Sequence, residues 1–131
     1  MKTLIIDAVS EKVFLVIISN KNIYTSIHKN SKSNFDKLTI LIERILKKHN
    51  ISLNQIKQIY VNRGPGSFAG TRSSLSIVKG IHLAKNIDYY CFSYLDFIGE
   101  KEKKNIKWLE LPSLCRKYKI KKNLIKPLYL S

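Results

Sequence analysis

Seven stretches of the chain carry the apolar patterning of regular secondary structure. Almost continuously apolar runs indicate buried strands, and apolar residues repeated every three to four positions indicate helices with one buried face. In chain order the pattern predicts strands at 3–7, 13–18 and 23–28, a helix at 34–48, a strand at 58–62, a helix at 68–85 and a strand at 89–92. The polar segment Asn20-Lys21-Asn22 is a turn signal, so the second and third strands are expected to form a hairpin.

The order β-β-β-α-β-α-β predicts an α/β fold with a mixed sheet that is antiparallel on one side and carries packed helices. An actin-like, ribonuclease H-like half-domain has this arrangement. We expect residues 1–99 to form this lobe and residues 100–131 to be a basic C-terminal remnant packed on it. Smaller predicted features are a turn at 53–56 capped by Ser52, a short helix at 94–98 capped by Ser93, a charged linker at 99–105, a segment at 106–111, a turn at Pro112, a short helix at 113–118 and an extended run at 124–130.

The first predicted helix has one apolar face and clear end signals. Asn34 is the expected N-cap, Asp36 lies in the first turn, and Lys47 and Lys48 suit the negative end of the helix dipole. Ile40 interrupts the otherwise polar face and is therefore a candidate contact residue. The apolar face consists of Phe35, Leu38, Leu41, Ile42, Ile45 and Leu46.

The second predicted helix has two adjacent stripes. One is mostly apolar and the other is made of small residues, which would let another helix approach closely. The apolar stripe is Ser74, Ile77, Ile81 and Ala84, and the small-residue stripe is Ala69, Ser73, Ser76 and Gly80. Two interpretations remain open: the small residues meet a partner helix, or both stripes face the protein's own core.

The chain has 131 residues, which suits one domain, and a formal net charge of +15. Residues 101–131 hold 10 basic and 2 acidic side chains. Such charge favours contact with nucleic acid or an acidic partner. A lysine-rich bias of an AT-rich genome explains it equally, because only four of the 24 basic residues are arginine.

The remaining composition indicates a cytoplasmic protein. No apolar run is long enough to span a membrane, and Asp7 interrupts the short apolar stretch near Met1, so no signal peptide is expected. Cys91 and Cys115 show no CxxC spacing, which argues against a disulfide scaffold or a cysteine metal site. Cys91 lies in a predicted strand and is expected to be buried and inert.

The glycine-rich segment at 63–72 joins a predicted strand to the second long helix. Glycines permit a sharp turn, and a helix start offers N–H groups to an anion or to a packed partner. The segment is no Walker loop, since Gly-Lys-Ser/Thr is absent and arginines flank it instead. A tight strand-to-helix turn without a ligand is the alternative. The candidate residues are Arg63, Gly64, Pro65, Gly66, Ser67, Phe68, Gly70 and Arg72.

Catalytic chemistry of the chain's own is not indicated. Asp7 ends the first strand, but Val9 stands in the following turn and resists the positive φ that a phosphate loop requires, so Asp7 is expected to bond a turn. His28, His49 and His82 show no metal-ligand spacing, and no serine stands in a G-x-S-x-G context. His28 and His49 are expected to be ordinary exposed histidines, and His82 to face solvent or a partner. We expect no metal and no cofactor.

As a string, Arg-Gly-Pro-Gly-Ser-Phe-Ala-Gly-Thr-Arg at 63–72, followed by Gly80 and Ala84, closely resembles the signature of the TsaB (YeaZ) family. The resemblance extends to Leu4-Ile5-Ile6-Asp7, to the helix at 38–46 and to the tail motif Lys126-Pro127-Leu128-Tyr129-Leu130. It implies a reduced form that lacks most of the family's second lobe. Two further departures are Asn34, where the family often has histidine, and Val9, where it has a small or hydroxyl residue.

The resemblance implies a non-catalytic scaffold that binds and activates TsaD, with TsaE in a larger complex, for N6-threonylcarbamoyladenosine formation on tRNAs reading ANN codons. It implies that the helices at 34–48 and 68–85 form the heterodimer, with Ile40 and the small-residue stripe in contact. For the free chain two alternatives are open, a monomer and a homodimer through the same face. The alternative function is a tRNA-binding module acting through the basic tail. An enzyme acting alone on phosphorylated ligands through residues 64–72 is a third hypothesis.

Overall fold

The computed structural model describes residues 1–97, 99–100 and 106–128, with the backbone alone at Phe35. The strands are β1 (Lys2–Asp7), β2 (Lys12–Ser19), β3 (Asn22–Lys29), β4 (Ile56–Asn62) and β5 (Asp88–Phe92). The helices are α1 (Lys32–Asp36), α2 (Leu38–Lys48), α3 (Phe68–Lys85) and α4 (Leu111–Lys117). Short 3-10 turns occur at Leu53–Gln55, Tyr94–Asp96 and Trp108–Glu110.

The strands form one five-stranded sheet in the order β3-β2-β1-β4-β5. The β1–β2 and β2–β3 pairs are antiparallel, and the β1–β4 and β4–β5 pairs are parallel. Ser19 pairs with Asn22 across a two-residue loop, in which Asn20 takes a φ of 58°, a conformation that asparagine tolerates. The predicted mixed sheet and actin-like, ribonuclease H-like class are confirmed.

Alternation along the strands divides the core between the two faces of the sheet. Leu4 and Ile6 of β1 point to the face that α2 and α3 cover, and Ile5 points to the other face. On that second face Ile5 joins a cluster that includes Leu111 and Leu114 of α4. The C-terminal segment thus covers the sheet surface opposite the two long helices.

The predicted helix at 34–48 is two helices, because the backbone leaves helical geometry at Lys37 (φ −101°, ψ 7°). The N-cap prediction at Asn34 was wrong: Ser31 Oγ accepts the Asn34 N–H at 3.3 Å, and Asn34 lies inside α1. Asp36 consequently ends α1 rather than opening the long helix. The end of α2 is as predicted, with Lys47 and Lys48 in its last turn. The predicted apolar role of the Phe35 side chain lies outside the described residues.

The minor elements follow local capping rules with one correction. Ser52 and Ser93 cap their 3-10 turns as predicted, each within a capping box. Pro112 was predicted to be a turn but lies in the first turn of α4, where its missing N–H costs no hydrogen bond. Predictions for residues 98, 101–105 and 129–130 lie outside the described residues, and 124–128 have no regular secondary structure. No helix in the described ranges has both the length and the apolar character needed to cross a bilayer.

Candidate functional site

Arg63, the first residue of the signature loop (residues 63–72), is buried and bonded to three other parts of the chain. Its guanidinium forms an ion pair with Asp96, with Nη2 2.5 Å from Oδ1, and Nη1 donates to the Lys126 carbonyl at 3.4 Å. Its backbone N–H donates to the Phe92 carbonyl at 2.7 Å, and its carbonyl accepts the Leu128 N–H at 2.8 Å. Arg63 therefore joins β4, β5 and the C-terminal segment.

The two glycines that follow are required by close backbone contacts. Gly64 (φ 110°) and Gly66 (φ 155°) both have conformations that other residues rarely adopt, and the peptide bond between Gly64 and Pro65 is cis. A Cβ at position 64 would overlap the Leu128 carbonyl oxygen, and one at position 66 would overlap the Val9 carbonyl oxygen. The loop is thus clamped between the C-terminal segment and the β1–β2 turn.

The N–H groups of the loop are largely occupied within the chain. Ser67 donates its N–H to the Val9 carbonyl at 2.9 Å, and its hydroxyl caps α3 by accepting the Gly70 N–H at 3.1 Å. The Gly64 N–H donates to Asn62 Oδ1 at 3.0 Å. This geometry favours a tight structural turn over an anion cradle. Phe68 and Arg72, by contrast, are exposed at the start of α3.

Asp7 holds the turn after β1, as the sequence predicts. Its Oδ1 accepts the Val9 N–H at 3.4 Å, and its Oδ2 accepts the Asn62 amide at 3.3 Å. Because Asn62 also receives the Gly64 N–H, this buried amide links the β1–β2 turn to the signature loop. Sequence reasoning gave Asn62 no role, although its place between a strand end and a glycine turn was a usable signal.

The small-residue stripe of α3 lies on the outside of the protein. Ala69, Ser76 and Gly80 are exposed and Ser73 is half-buried. A Cβ at Gly80 would meet no heavy atom of the described residues within 4 Å, its own helix backbone apart. The interpretation that both stripes face the core was therefore wrong. The buried positions of α3 are Gly70, Thr71, Ser74, Leu75 and Val78.

The predicted apolar stripe is only partly buried. Ile77 and Ile81 pack against the edge of the core, and Ala84 is exposed. Ser74 is buried as predicted, but the stripe was placed too far around the helix, because Thr71 is buried and carries no apolar signal. The buried Ser74 hydroxyl is satisfied within the helix. Its one O–H is shared between the Gly70 carbonyl at 2.9 Å and the Thr71 carbonyl at 3.0 Å.

A surface groove, called here the helix groove, runs between the first two helices and α3. One part, of about 600 Å³, has Ile42, Leu46, Ile77 and Ile81 in its wall. The other part, of about 720 Å³, shares Thr39 and Ile77 with the first. Its wall also includes Ala69, Ser73 and Ser76 from the predicted interface. Ile40 and Gly80 lie outside the groove wall, and Ile40 is 46% exposed.

The histidines and cysteines are structural in their contacts. His82 was predicted to face solvent or a partner, but its Nδ1 lies 2.9 Å from the Ile87 carbonyl oxygen and its ring contacts Tyr89 edge-on. His49, predicted to be exposed, is half-buried and stacks on Tyr24 with ring centroids 3.9 Å apart. His28, also predicted to be exposed, is half-buried, and its Nε2 lies 2.5 Å from Ser26 Oγ.

Both cysteines are buried and unpaired, as predicted for Cys91. Burial raises the pKa of the Cys91 thiol to about 11 and that of Cys115 to about 12, so neither is a ready nucleophile. Across the described ranges, no three His, Cys, Asp or Glu side chains lie close enough to hold a metal ion.

The mixed sheet, its helix layer and the clamped turn between β4 and α3 define the class of an actin-like half-domain. A family model described as "TsaD: tRNA N6-adenosine threonylcarbamoyltransferase" matches residues 22–116. A protein of Buchnera aphidicola subsp. Baizongia pistaciae, called "tRNA threonylcarbamoyladenosine biosynthesis protein TsaB", is 34% identical over 90 residues. That match covers 68% of this chain and 41% of the relative. The TsaB of Buchnera aphidicola subsp. Schizaphis graminum is 26% identical over 122 residues, covering 93% and 52%.

A solved structure, "YeaZ from Pseudomonas aeruginosa", has the same fold, with a TM-score of 0.66 at 20% identity. The match covers 70% of this chain and 43% of that one. Because the individual relatives carry the names TsaB and YeaZ, and a TsaD-named model matches most of the chain, the chain belongs to the TsaB (YeaZ) family. It spans about half the length of the curated relatives that it matches.

Proposed function

We propose that this chain is a non-catalytic scaffold that binds and activates a TsaD-type protein in the biosynthesis of threonylcarbamoyladenosine on tRNA. The two TsaB relatives are named for this biosynthesis, and the family model carries the name of the threonylcarbamoyltransferase. The observation that carries the proposal is the exposed small-residue stripe of α3. Its residues Ala69, Ser76 and Gly80 take no part in the buried core of the described residues.

The surface around the stripe has the chemistry of a helix-docking face. Ser76 and Gly80 allow the backbone of another helix to approach, and large apolar side chains are exposed on α2 and α3. Phe68 is 56% exposed, Ile40 46% and Leu83 75%. Leu83 lies three residues beyond Gly80 and therefore continues the stripe by helical spacing. Sequence reasoning missed it. Phe68 lines the helix groove, and exposed apolar residues at a groove are typical of a protein–protein contact surface.

The absence of catalysis is part of the proposal and rests on the chemistry of the loop. The Asp7 carboxylate bonds the Val9 N–H and the Asn62 amide. Gly64 and Gly66 lie against protein backbone rather than an open space. These contacts support a turn that shapes the start of α3. Binding of ATP to the isolated chain in calorimetry would revive the enzyme hypothesis.

The proposal is tested with bulky substitutions in the stripe, Ser76→Trp and Gly80→Leu. Each should weaken binding to the TsaD of the same organism by at least about thirtyfold in calorimetry, because a filled stripe blocks close helix approach. Thr25→Trp on β3 is the control, since Thr25 is exposed and its neighbour Tyr24 packs toward the helix face. Thermal melts should show that all three variants fold.

If the stripe variants bind TsaD as the unchanged chain does, the interface is wrong. A tRNA modification assay with and without the chain then tests activation separately from binding. A modification rate independent of the chain would contradict the scaffold role even if the complex forms.

Three companion predictions remain: TsaE in a larger complex, a cytoplasmic location, and a division into a lobe at 1–99 and a basic C-terminal segment at 100–131 packed on it. A homodimer through the same face is the alternative to a monomer for the free chain.

Nucleic-acid binding through the basic C-terminal segment is the alternative function, and it has an observation of its own. Arg116, Lys117, Lys119, Lys121, Lys122 and Lys126 are all exposed. A tRNA-binding module should bind tRNA without any partner protein, and its affinity should fall steeply with salt. Salt-insensitive or undetectable tRNA binding by the isolated chain would reject this alternative.

A further inference from the structure

We propose that a basic cavity between the signature loop and the C-terminal segment binds a phosphate group of a nucleic-acid strand. The cavity, called here the basic pocket, has a volume of about 230 Å³. Four basic residues and one acidic residue are among those that line it: Arg63, Lys119, Lys121, Lys126 and Asp96. This inference rests on the nucleic-acid alternative and gives it a site. It is independent of the scaffold proposal, whose surface is the helix groove.

Arg63, at the base of the basic pocket, is already paired with a carboxylate of the same chain. Arg63 and Asp96 neutralise each other, and Asp96 Oδ2 also accepts the Ser93 N–H at 2.8 Å. Three of the five Arg63 side-chain N–H donors have partners among the described residues. The other two remain for a ligand. The pair therefore presents donors with little net charge, and the lysines at the opening supply the excess positive charge.

The lysines at 117–126 in the C-terminal segment fall into two groups, those paired with a carboxylate and those that line the basic pocket. Lys122 pairs with Tyr90 of β5 as an isolated bridge, and its ammonium lies 3.8 Å from Asp88. Lys121 is adjacent and lines the pocket instead. Lys117 pairs with Glu100. Within the described ranges Lys119, Lys121 and Lys126 have no acidic partner, so the segment holds its paired lysines outside the pocket and its unpaired ones around it.

Lys119 occupies a backbone position that disfavours lysine. It lies two residues after the end of α4 with a φ of 56°. Its N–H donates to the Arg116 carbonyl, and the Ile120 N–H donates to the Cys115 carbonyl. This is a Schellman motif, whose left-handed position is usually glycine. The other described non-glycine residues with positive φ are all asparagine. A lysine held there against local preference suggests a use for its ammonium group.

The size of the cavity selects the ligand. Pockets that enclose small organic molecules span roughly 300–1,000 Å³, so 230 Å³ admits a single group rather than a whole nucleotide. A phosphate is the group that arginine and lysine recognise best. A net charge of +15 attracts polyanions in particular, which favours a strand with many phosphates over a free nucleotide.

Two double variants of the full chain test the basic pocket. Lys119→Gln with Lys121→Gln removes two charges from the pocket, and Lys117→Gln with Lys122→Gln removes two from the same segment outside it. Binding of labelled tRNA and of a labelled single-stranded RNA is measured by anisotropy over about 50–200 mM salt. The pocket pair should weaken binding about tenfold and lower the salt slope by roughly 1 to 2, and the control pair should change both far less.

Lys119→Gly separates binding from folding. Glycine suits the left-handed position, so the thermal midpoint should stay the same or rise while RNA binding weakens. Equal weakening by both double variants would overturn the inference in favour of diffuse charge. No RNA binding by the unchanged chain, or no effect of the pocket variants, would overturn it as well. If the pocket variants lose only pyrophosphate or ATP binding in calorimetry, the assignment to a nucleic acid is wrong.

Discussion

The two glycines of the signature loop that precede α3 and Gly80, which lies within α3, have opposite surroundings. Gly64 and Gly66 in the signature loop lie where a Cβ would overlap the carbonyl oxygens of Leu128 and Val9. Gly80, in the stripe of α3, has empty space where its Cβ would be, as far as the described residues extend. The loop glycines therefore serve the chain's own packing. Gly80 serves nothing within the described structure, which is why we place the proposed partner there and not at the loop.

The largest expected effect is at Gly66. Gly66→Ala should lower the free energy of unfolding by about 3 kcal/mol, because the added methyl group meets the Val9 backbone and the φ of 155° is strained for alanine. Urea denaturation with a fluorescence readout measures the change. A loss below about 0.5 kcal/mol would show that the loop is not clamped against the β1–β2 turn.

The arginines at the two ends of the signature loop should differ in their contribution to the free energy of unfolding, by almost as much as the loss at Gly66. Arg63→Gln should cost about 2–3 kcal/mol, because it leaves the largely buried Asp96 carboxylate without its cation. Arg72→Gln, at an exposed position, should change stability by no more than about 0.5 kcal/mol. Equal losses in the two variants, measured by the same urea titration, would contradict the internal role of Arg63.

Alkaline pH probes the buried thiols on the two faces of the sheet. Burial raises the pKa of Cys91 to about 11 and that of Cys115 to about 12, from a usual value near 9. The unfolded chain therefore ionises these thiols first. Their contribution to stability is complete below pH 9 and is lost as pH rises from about 9 to 11 for Cys91 and from about 9 to 12 for Cys115, at up to roughly 1.4 kcal/mol per unit for each thiol.

The control for this measurement is the double variant Cys91→Ala with Cys115→Ala, which lacks both thiols. It keeps the tyrosines, so its residual slope reports their share. Urea unfolding at several pH values should give a flatter decline than in the unchanged chain. Identical slopes between pH 9 and 11 would show that the thiols are accessible in the folded protein.

The expected effect at Gly80 is smaller than those at Gly66 and Arg63, and it has the opposite sign. Gly80→Ala should stabilise the chain by about 0.5–1 kcal/mol, because alanine is the better helix former and the site is empty. The thermal midpoint should rise accordingly. A destabilised variant would mean that residue 80 packs against the protein itself, and the contrast with the loop would disappear.

Much of the fold was predictable because its signals are local. The strand order along the chain, the Asn20-Lys21 turn and the caps at Ser52 and Ser93 depend on residues close in sequence. The break at Lys37 escaped prediction because the apolar spacing continues across it. The inward face of α3 was misplaced by hydropathy alone, since Thr71 is a buried polar residue and Ala84 is an exposed apolar one. The role of Asn62 escaped because its partner Asp7 is 55 residues away.

The sequence by itself determined the class of fold, the family signature and the presence of a small-residue stripe, because periodicity and motif strings are properties of neighbouring residues. Only the tertiary structure decided what these features face. It turned the glycine loop inward against Val9 and Leu128, and it left Ser76 and Gly80 outside. It also brought Lys119 and Lys121 beside Arg63. The physical reason is that burial and charge convergence depend on contacts between segments far apart in the chain, which local patterning does not encode.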